Sequence, residues 1–189
     1  MDQLSHPGVV SVDDVIHTER LSLRSWRADD APMLLPVLQA NEERLLRWIP
    51  PHVGSAAPLD ELRARLAGFA DDFRAMLRWR FGIFTQDQRD VYGEVDLFFR
   101  SATGRVTLAE ADRTEIGYWL REDVGGRGYA TEAARAMMSL TQSLPGMQSV
   151  EIRCDSRNEP SMAVARRLGF HLTTLTVDSF DVVWTYELD

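Results

Sequence analysis

Gly125, Gly126 and Gly128 are the residues whose spacing most plainly implies chemistry. They lie in Glu115-Ile-Gly-Tyr-Trp-Leu-Arg-Glu-Asp-Val-Gly-Gly-Arg-Gly-Tyr-Ala-Thr-Glu-Ala133, which reads as a strand, a glycine-rich turn and the first turns of a helix. Such a junction aims unpaired backbone N–H groups and the positive end of a helix dipole at one point. Glycine adds no side chain, so an anion can approach the peptide planes closely. The chemistry is the holding of a phosphate. Two common phosphate loops do not fit: there is no Lys-Ser/Thr pair for a nucleotide triphosphate and no G-x-G-x-x-G for a dinucleotide.

A second informative stretch is Ser156-Arg-Asn-Glu-Pro-Ser-Met-Ala-Val-Ala-Arg-Arg-Leu-Gly-Phe170. It reads as a polar turn, a helix with proline near its start, and a glycine stop before an aromatic strand. Four carboxylates sit on expected strands: Glu94, Asp96, Glu115 and Glu151. Metal chemistry is not expected. The histidines His6, His17, His52 and His171 are scattered, and Cys154, the single cysteine, has no partner at ligand spacing. Nor can Cys154 form an internal disulfide; on a core strand it is expected to pack.

The elements that must position these residues follow from periodicity. Arg20–Trp26 alternates as a half-buried strand. Asp29 or Asp30 can cap a helix through Met33, Leu34, Val37 and Leu38, and Leu45–Pro51 stops at its prolines. Asp60 opens an amphipathic helix with Leu62, Leu66, Phe69 and Phe73 on one stripe. Strands are expected over Trp79–Thr85, Val91–Phe99, Glu115–Leu120 and Ser149–Cys154, with residues 101–113 as a polar connection. Helices are expected from Tyr129 to Ser143, before Pro145-Gly146, and from Pro160 to Leu168. Phe170–Val177 and Val182–Leu188 close the chain as an antiparallel pair. Residues 1–17 read as a leader, partly ordered at Val9–Ile16. The alternation indicates one α/β domain with a mixed sheet.

At 189 residues the chain suits a single domain with a sizeable core. No apolar run reaches the roughly 18 residues that a membrane span needs. Its start lacks the pattern of a signal peptide, so the expected location is cytoplasmic and no membrane partner is expected. The formal net charge of -8 argues against non-specific nucleic-acid binding. It would suit a cationic acceptor such as an amine or a basic peptide, although acidity is also common among soluble proteins.

Gly125-Gly-Arg-Gly-Tyr-Ala130 resembles the pyrophosphate loop of the GNAT superfamily, the N-acetyltransferases that use acetyl-coenzyme A. Gly128 and Ala130 match that pattern, while Gly125 stands where Gln or Arg is usual. Tyr129-Ala-Thr-Glu-Ala133 is similar to the ribosomal-protein N-terminal acetyltransferases. Asn158, Ser161 and Leu168-Gly169-Phe170 match the last helix of the family. Thr18-Glu-Arg-Leu-Ser-Leu-Arg24, Asp29-Asp30-Ala31 and Leu46-Arg-Trp-Ile-Pro50 also resemble this subfamily. The resemblance runs from about residue 18 to 188, within an expected domain of 18–189.

The resemblance implies a single-domain α/β fold, with a mostly antiparallel sheet split between two central parallel strands and flanked by helices. Acetyl-CoA would lie in the split, touching Trp119, Leu120, Gly125, Gly126, Arg127, Gly128, Tyr129, Ala130, Thr131 and Asn158. An amine would attack the thioester directly, with a base taking its proton and a backbone N–H facing the oxyanion. Many relatives carry a tyrosine acid where this chain has Ala165, so Ser161 is the expected partner of the leaving sulfur. It could instead only cap its helix. Glu115 is the expected base, with Glu94, Asp96 and Glu151 as alternatives, and Trp48 could line the acceptor cleft. The expected acceptor is a protein or peptide N-terminal amine. A small amine (aminoglycoside, polyamine or amino acid) is the second reading, and a non-catalytic acyl-CoA-binding module the third. Monomer and homodimer both remain open.

Overall fold

Period-two alternation gives most strands one apolar side facing each helical layer. The computed structural model describes residues 15–176 and 180–188. Most of the leader, including His6, and the expected strand end at Val177 lie outside them. Among the described residues the order is β1 (Val15–His17), β2 (Leu21–Ser25), α1 (Ala31–Leu45), α2 (Pro51–Gly54), α3 (Leu59–Arg74), β3 (Arg78–Thr85), β4 (Val91–Ser101) and β5 (Gly104–Arg105). There follow β6 (Arg113–Leu120), α4 (Tyr129–Gln142), β7 (Ser149–Asp155), α5 (Glu159–Arg167), β8 (His171–Leu175) and β9 (Asp181–Glu187). Two local expectations need correction. The connection at 101–113 contains β5, which folds back on the end of β4. The third helix starts at Leu59 after Pro58, and Asp60 is a first-turn acid with no capping bond from its side chain.

One sheet has the order β1-β2-β3-β4-β6-β7-β9-β8, with β5 beside β4. Every pairing is antiparallel except β6 with β7. On one face Trp79, Phe81, Val95, Leu97, Phe99, Ile116, Val150 and Ile152 pack with Ala133, Ala134 and Met137 of α4 and Val164 and Ala165 of α5. On the other, Trp26, Phe84, Val91 and Trp119 pack with Leu34 and Leu38 of α1 and Leu62, Leu66 and Phe69 of α3. Helix α4 is rich in Ala and Met, which lose little freedom on becoming helical. A hydroxyl contact of 2.8 Å between Thr114 and Thr141 ties its far end to β6.

Strand β4 crosses the sheet centre with glycine opposite the end of β6. A Cβ at Gly93 would stand 2.0 Å from the Trp119 carbonyl oxygen and 2.8 Å from the Leu120 Cα. Backbone cannot yield there as the tip of a side chain would. Gly93→Ala is therefore expected to cost roughly 1–3 kcal/mol, the usual range for forced overpacking. Chemical denaturation checks it; an unchanged midpoint would mean that the end of β6 is held more loosely than the contacts indicate.

Candidate functional site

The parallel pair β6–β7 is zipped only from Arg113↔Ser149 to Ile116↔Ile152. Beyond that point Gly117–Leu120 stay paired with β4 alone, and Arg153–Asp155 with β9 alone. The two strands diverge and leave a wedge in the sheet. A cavity of about 480 Å³ opens there, lined by Trp48, Tyr118, Trp119, Leu120, Ser161 and Arg167, among others.

Gly125–Thr131 close one end of this cavity. Gly126 (φ +73°) and Gly128 (φ +83°) occupy the left-handed region, which L side chains enter only at a cost of roughly 1–2 kcal/mol. Gly128 is the residue before α4, and its carbonyl accepts the first helical bond, from the Glu132 N–H at 3.0 Å. Among the described residues the amides of Gly126, Arg127 and Gly128 donate to no protein group. Those of Tyr129, Ala130 and Thr131 belong to the first helical turn, which has no acceptor within the helix. The Thr131 hydroxyl is buried without a partner and lines the same space. These unspent donors, at the positive end of α4, form an anion cradle.

A latch from the β1–β2 turn fixes the cradle. The Glu132 carboxylate accepts the Thr18 hydroxyl at 2.6 Å, the Arg20 N–H at 2.8 Å and the Arg20 Nε at 2.7 Å. Arg20 also donates to the Arg127 carbonyl at 3.0 Å and lies over the Tyr129 ring at 4.6 Å. Partial burial works against the Glu132 charge, but the bonds from Thr18 and Arg20 prevail and hold its pKa below the usual value. Beside the loop runs a trough of about 860 Å³ carrying Arg20, Arg127, Arg135 and Arg167.

Across the wedge, Tyr118 of β6 meets Ser161 of α5. The phenol donates to the Ser161 carbonyl at 3.0 Å and lies 3.1 Å from the Ser161 hydroxyl. With its one proton directed at the carbonyl, the phenol oxygen accepts from Ser161. Burial pushes the phenol pKa well above the usual tyrosine value, with the Ser161 bond opposing. Composition and spacing did not single out Tyr118; the only signal was its place one residue before Trp119 on the expected split strand. Asn158 caps α5 through its side chain, accepting from the Ser161 N–H at 3.3 Å, and it also lines the cavity. Cys154 is partly buried; burial pushes its thiol pKa up, against a hydrogen bond with Ser161. Ala165 is fully buried in the core. Leu120 and Trp119 line the cavity, and the Leu120 carbonyl already accepts from Arg44.

The carboxylates separate into two groups. Glu115 is engaged by Arg100 at 2.6 Å, Arg105 at 3.1 Å and Arg153 at 3.7 Å. Three guanidiniums thus occupy its two oxygens, leaving neither free to receive an amine. Glu151 is similarly held by Arg153 at 2.8 Å. Glu94 accepts from the Trp26 indole at 2.7 Å and from Arg80 at 2.9 Å. Asp96 differs. It pairs with Gly117, the first residue past the zipped segment; its Oδ1 has no hydrogen-bond partner, and its nearest cation is the Arg80 Nε at 3.3 Å. Burial first, then neighbouring Glu94, hold its pKa well above the usual carboxylate value, with Arg80 opposing. Among the described residues no histidine, cysteine and carboxylate groups gather as a metal site, and no helix is long and apolar enough to cross a membrane.

A family model described as an acetyltransferase (GNAT) domain matches residues 20–171. The "Putative ribosomal N-acetyltransferase YdaF" of Bacillus subtilis (strain 168) is 25% identical over 162 residues, covering 80% of this chain and 78% of that protein. Among solved structures, RimL, a ribosomal L7/L12 alpha-N-protein acetyltransferase in complex with coenzyme A, superposes with a TM-score of 0.77 at 22% identity, covering 93% of this chain and 98% of that one. The microcin C7 self-immunity acetyltransferase MccE, in complex with acetyl-CoA and AMP, has a TM-score of 0.73 at 16% identity, covering 90% and 93%. Both structures share the fold. With its split sheet, its glycine cradle and a family match over most of its length, the chain belongs to the GNAT acetyltransferase family and is an acyltransferase.

Proposed function

We propose that this protein transfers the acetyl group of acetyl-CoA to the N-terminal amine of a protein or peptide, through a domain of residues 18–189. The observation that carries the reading is the continuity of the unspent amides at 126–131 with the wedge beside Tyr118 and Ser161. The pyrophosphate would rest on the cradle, with Gly125, Arg127, Tyr129 and Ala130 around it and Thr131 supplying its free hydroxyl. The pantetheine arm would run past Trp119, Leu120 and Asn158 into the wedge. The peptide acceptor is favoured by the ribosomal-protein acetyltransferases among the similar proteins and by the open wedge, which admits a chain end.

Tyr118 and Ser161 are the hydroxyl groups set to face the leaving sulfur. The raised Tyr118 pKa keeps the phenol protonated through neutral pH, as a proton donor requires. For the base, the geometry favours Asp96 over Glu115. Asp96 Oδ2 lies 3.7 Å from where a Cβ of Gly117 would stand, so β6 sets no side chain against this buried carboxylate where the strands part. A raised carboxylate pKa makes a better proton acceptor for an ammonium ion than an ordinary one.

Gly128→Asp should abolish acetyl-CoA binding in calorimetry, because it sets a charged side chain at a left-handed position inside an anion site. Undiminished affinity would remove the loop from the coenzyme site, and with it this reading.

Tyr118→Phe should lower kcat by roughly tenfold or more, and Ser161→Ala by less, while acetyl-CoA affinity stays nearly constant. A contact made mainly in the transition state shows in kcat rather than in ground-state binding. Parent-like turnover in both variants would leave the pair a structural bridge.

Asp96→Asn should cut kcat/KM by about a hundredfold, a typical worth for a positioned base, and abolish the acidic limb of the pH profile. That limb should lie above the ordinary carboxylate range. Stability carries the opposite sign. Because the folded pKa is raised, the native state binds the extra proton, so the parent loses stability as pH rises from the ordinary carboxylate range through the folded value. The asparagine variant should lack that loss and melt higher at neutral pH. A variant with full activity would hand the proton to Glu94, Glu151 or water.

A further inference from the structure

The sheet face that carries Asp96 and Gly117 continues beyond the helices into a layer of arginine. Helices α1 and α3 pack on β2, β3 and β4. On the strands that follow, Glu115 and Glu151 are buried beneath Arg100, Arg105, Arg113 and Arg153. Four guanidinium groups thus stand over two carboxylates, with Asp112 bound to Arg113 at the margin. The Arg105 and Arg153 side chains remain 54% and 42% exposed, so each offers donors outward. Every guanidinium has five N–H donors, more than these carboxylates accept, and the buried Arg100 Nε has no hydrogen-bond partner.

This layer touches the reaction site through one ring. The Arg105 guanidinium lies 3.8 Å from the centre of the Phe98 ring, and the edge of that ring is 3.4 Å from where a Cβ of Gly117 would stand. Asp96 is beside the same position. An extended peptide advances roughly 3.3–3.6 Å per residue. Arg153 is the first residue of β7 past the zipped segment, and Arg105 shares the Glu115 carboxylate with it, so a chain leaving the wedge on this face meets Arg153 and then Arg105 within its first few residues. His52 registers the local sign: burial, then Arg80, Arg78, Arg65 and Arg105, hold its pKa below the usual value.

We propose that the layer led by Arg105 and Arg153 is the docking surface for acidic residues that follow the acceptor's N-terminal amine. The inference rests on the peptide-acetyltransferase reading and names its substrate class: N-termini with Asp or Glu within the first few positions. It reverses the expectation drawn from a net charge of -8, because in this layer four guanidiniums outnumber the three carboxylates they hold, Glu115, Glu151 and Asp112. An RNA partner fits less well. Its continuous charge would meet the field of the whole acidic chain, and the layer is interrupted by its own carboxylates.

The test uses the full-length protein, acetyl-CoA and peptides that share their first residue but carry Glu, Gln or Lys at positions two to four. Thiol release gives kcat and KM for each. The glutamate peptide should have a KM at least about tenfold below the lysine peptide, and added salt should shrink the gap as it screens exposed charges. Arg105→Glu and Arg153→Glu should erase or invert the preference, and Arg105→Gln should weaken it. Arg89, whose side chain is 87% exposed, lies in the turn at the opposite end of β4; Arg89→Glu makes the same charge change there and should preserve the preference. Melting curves confirm that each variant is folded. Equal KM values for all peptides, or a gap that survives Arg105→Glu, would overturn the docking surface while leaving the acetyltransferase reading intact. If the protein binds acetyl-CoA but acetylates none of the peptides, the peptide reading fails. Fluorescence anisotropy of the labelled peptides on the CoA-loaded protein then decides the surface by itself, and charge-independent binding overturns it. So does displacement of the glutamate peptide by an RNA oligonucleotide of equal affinity.

Discussion

The structure depends on a hydrogen-bond ladder that stops. Had β6 and β7 stayed paired past Ile116↔Ile152, the sheet would close beside Tyr118 and no substrate could pass between its strands. The strands can part because each keeps another neighbour, β4 for Gly117–Leu120 and β9 for Arg153–Asp155. A sheet edge with only one partner is a liability in most proteins; here it faces a cavity. The hydroxyl pair of Tyr118 and Ser161 instead ties β6 to α5, the helix that follows β7.

The anion cradle draws on the same economy. Its amides are unspent because Gly126 and Gly128 turn the chain through left-handed conformations just before α4, and no side chain fills the space. A loop so poor in internal bonds needs outside support. Glu132, one turn into α4, provides it by gathering Thr18 and Arg20 from the β1–β2 turn. Arg20 then returns to the loop at the Arg127 carbonyl. Order in the cradle is thus set by residues more than a hundred positions away in sequence.

That long range explains what the sequence could and could not show. The glycine loop, the helix after it, the Asn158–Ser161 turn and most strands were legible, because each is a local pattern of turn chemistry and periodicity. The split itself was not readable from alternation and rested on family resemblance, since pairing depends on which strands become neighbours. Strand β5 was missed because two residues carry no periodicity. Tyr118 was missed because its value lies in a contact with α5, forty-three positions on. Glu115 was attractive as a base for its place on β6, yet nothing local announces that Arg100, Arg105 and Arg153 converge on it.

Charge shows the same limit in its sharpest form. A net value is a sum over the whole surface, whereas a bound substrate feels the groups within about one Debye length, roughly 8–10 Å in physiological salt. On the open face those groups are guanidiniums, Arg105 stacked on Phe98 and all of them anchored by buried Glu115 and Glu151. The two glutamates hold the arginines extended over the strands rather than free in solvent, so little further ordering is needed when an anion arrives. Asp96, a short step away and buried beside Glu94 and Gly117, feels the opposite pressure and resists ionisation. One sheet face thereby presents a surface for carboxylates next to a carboxylate able to accept a proton, and the Phe98 ring keeps the two functions apart.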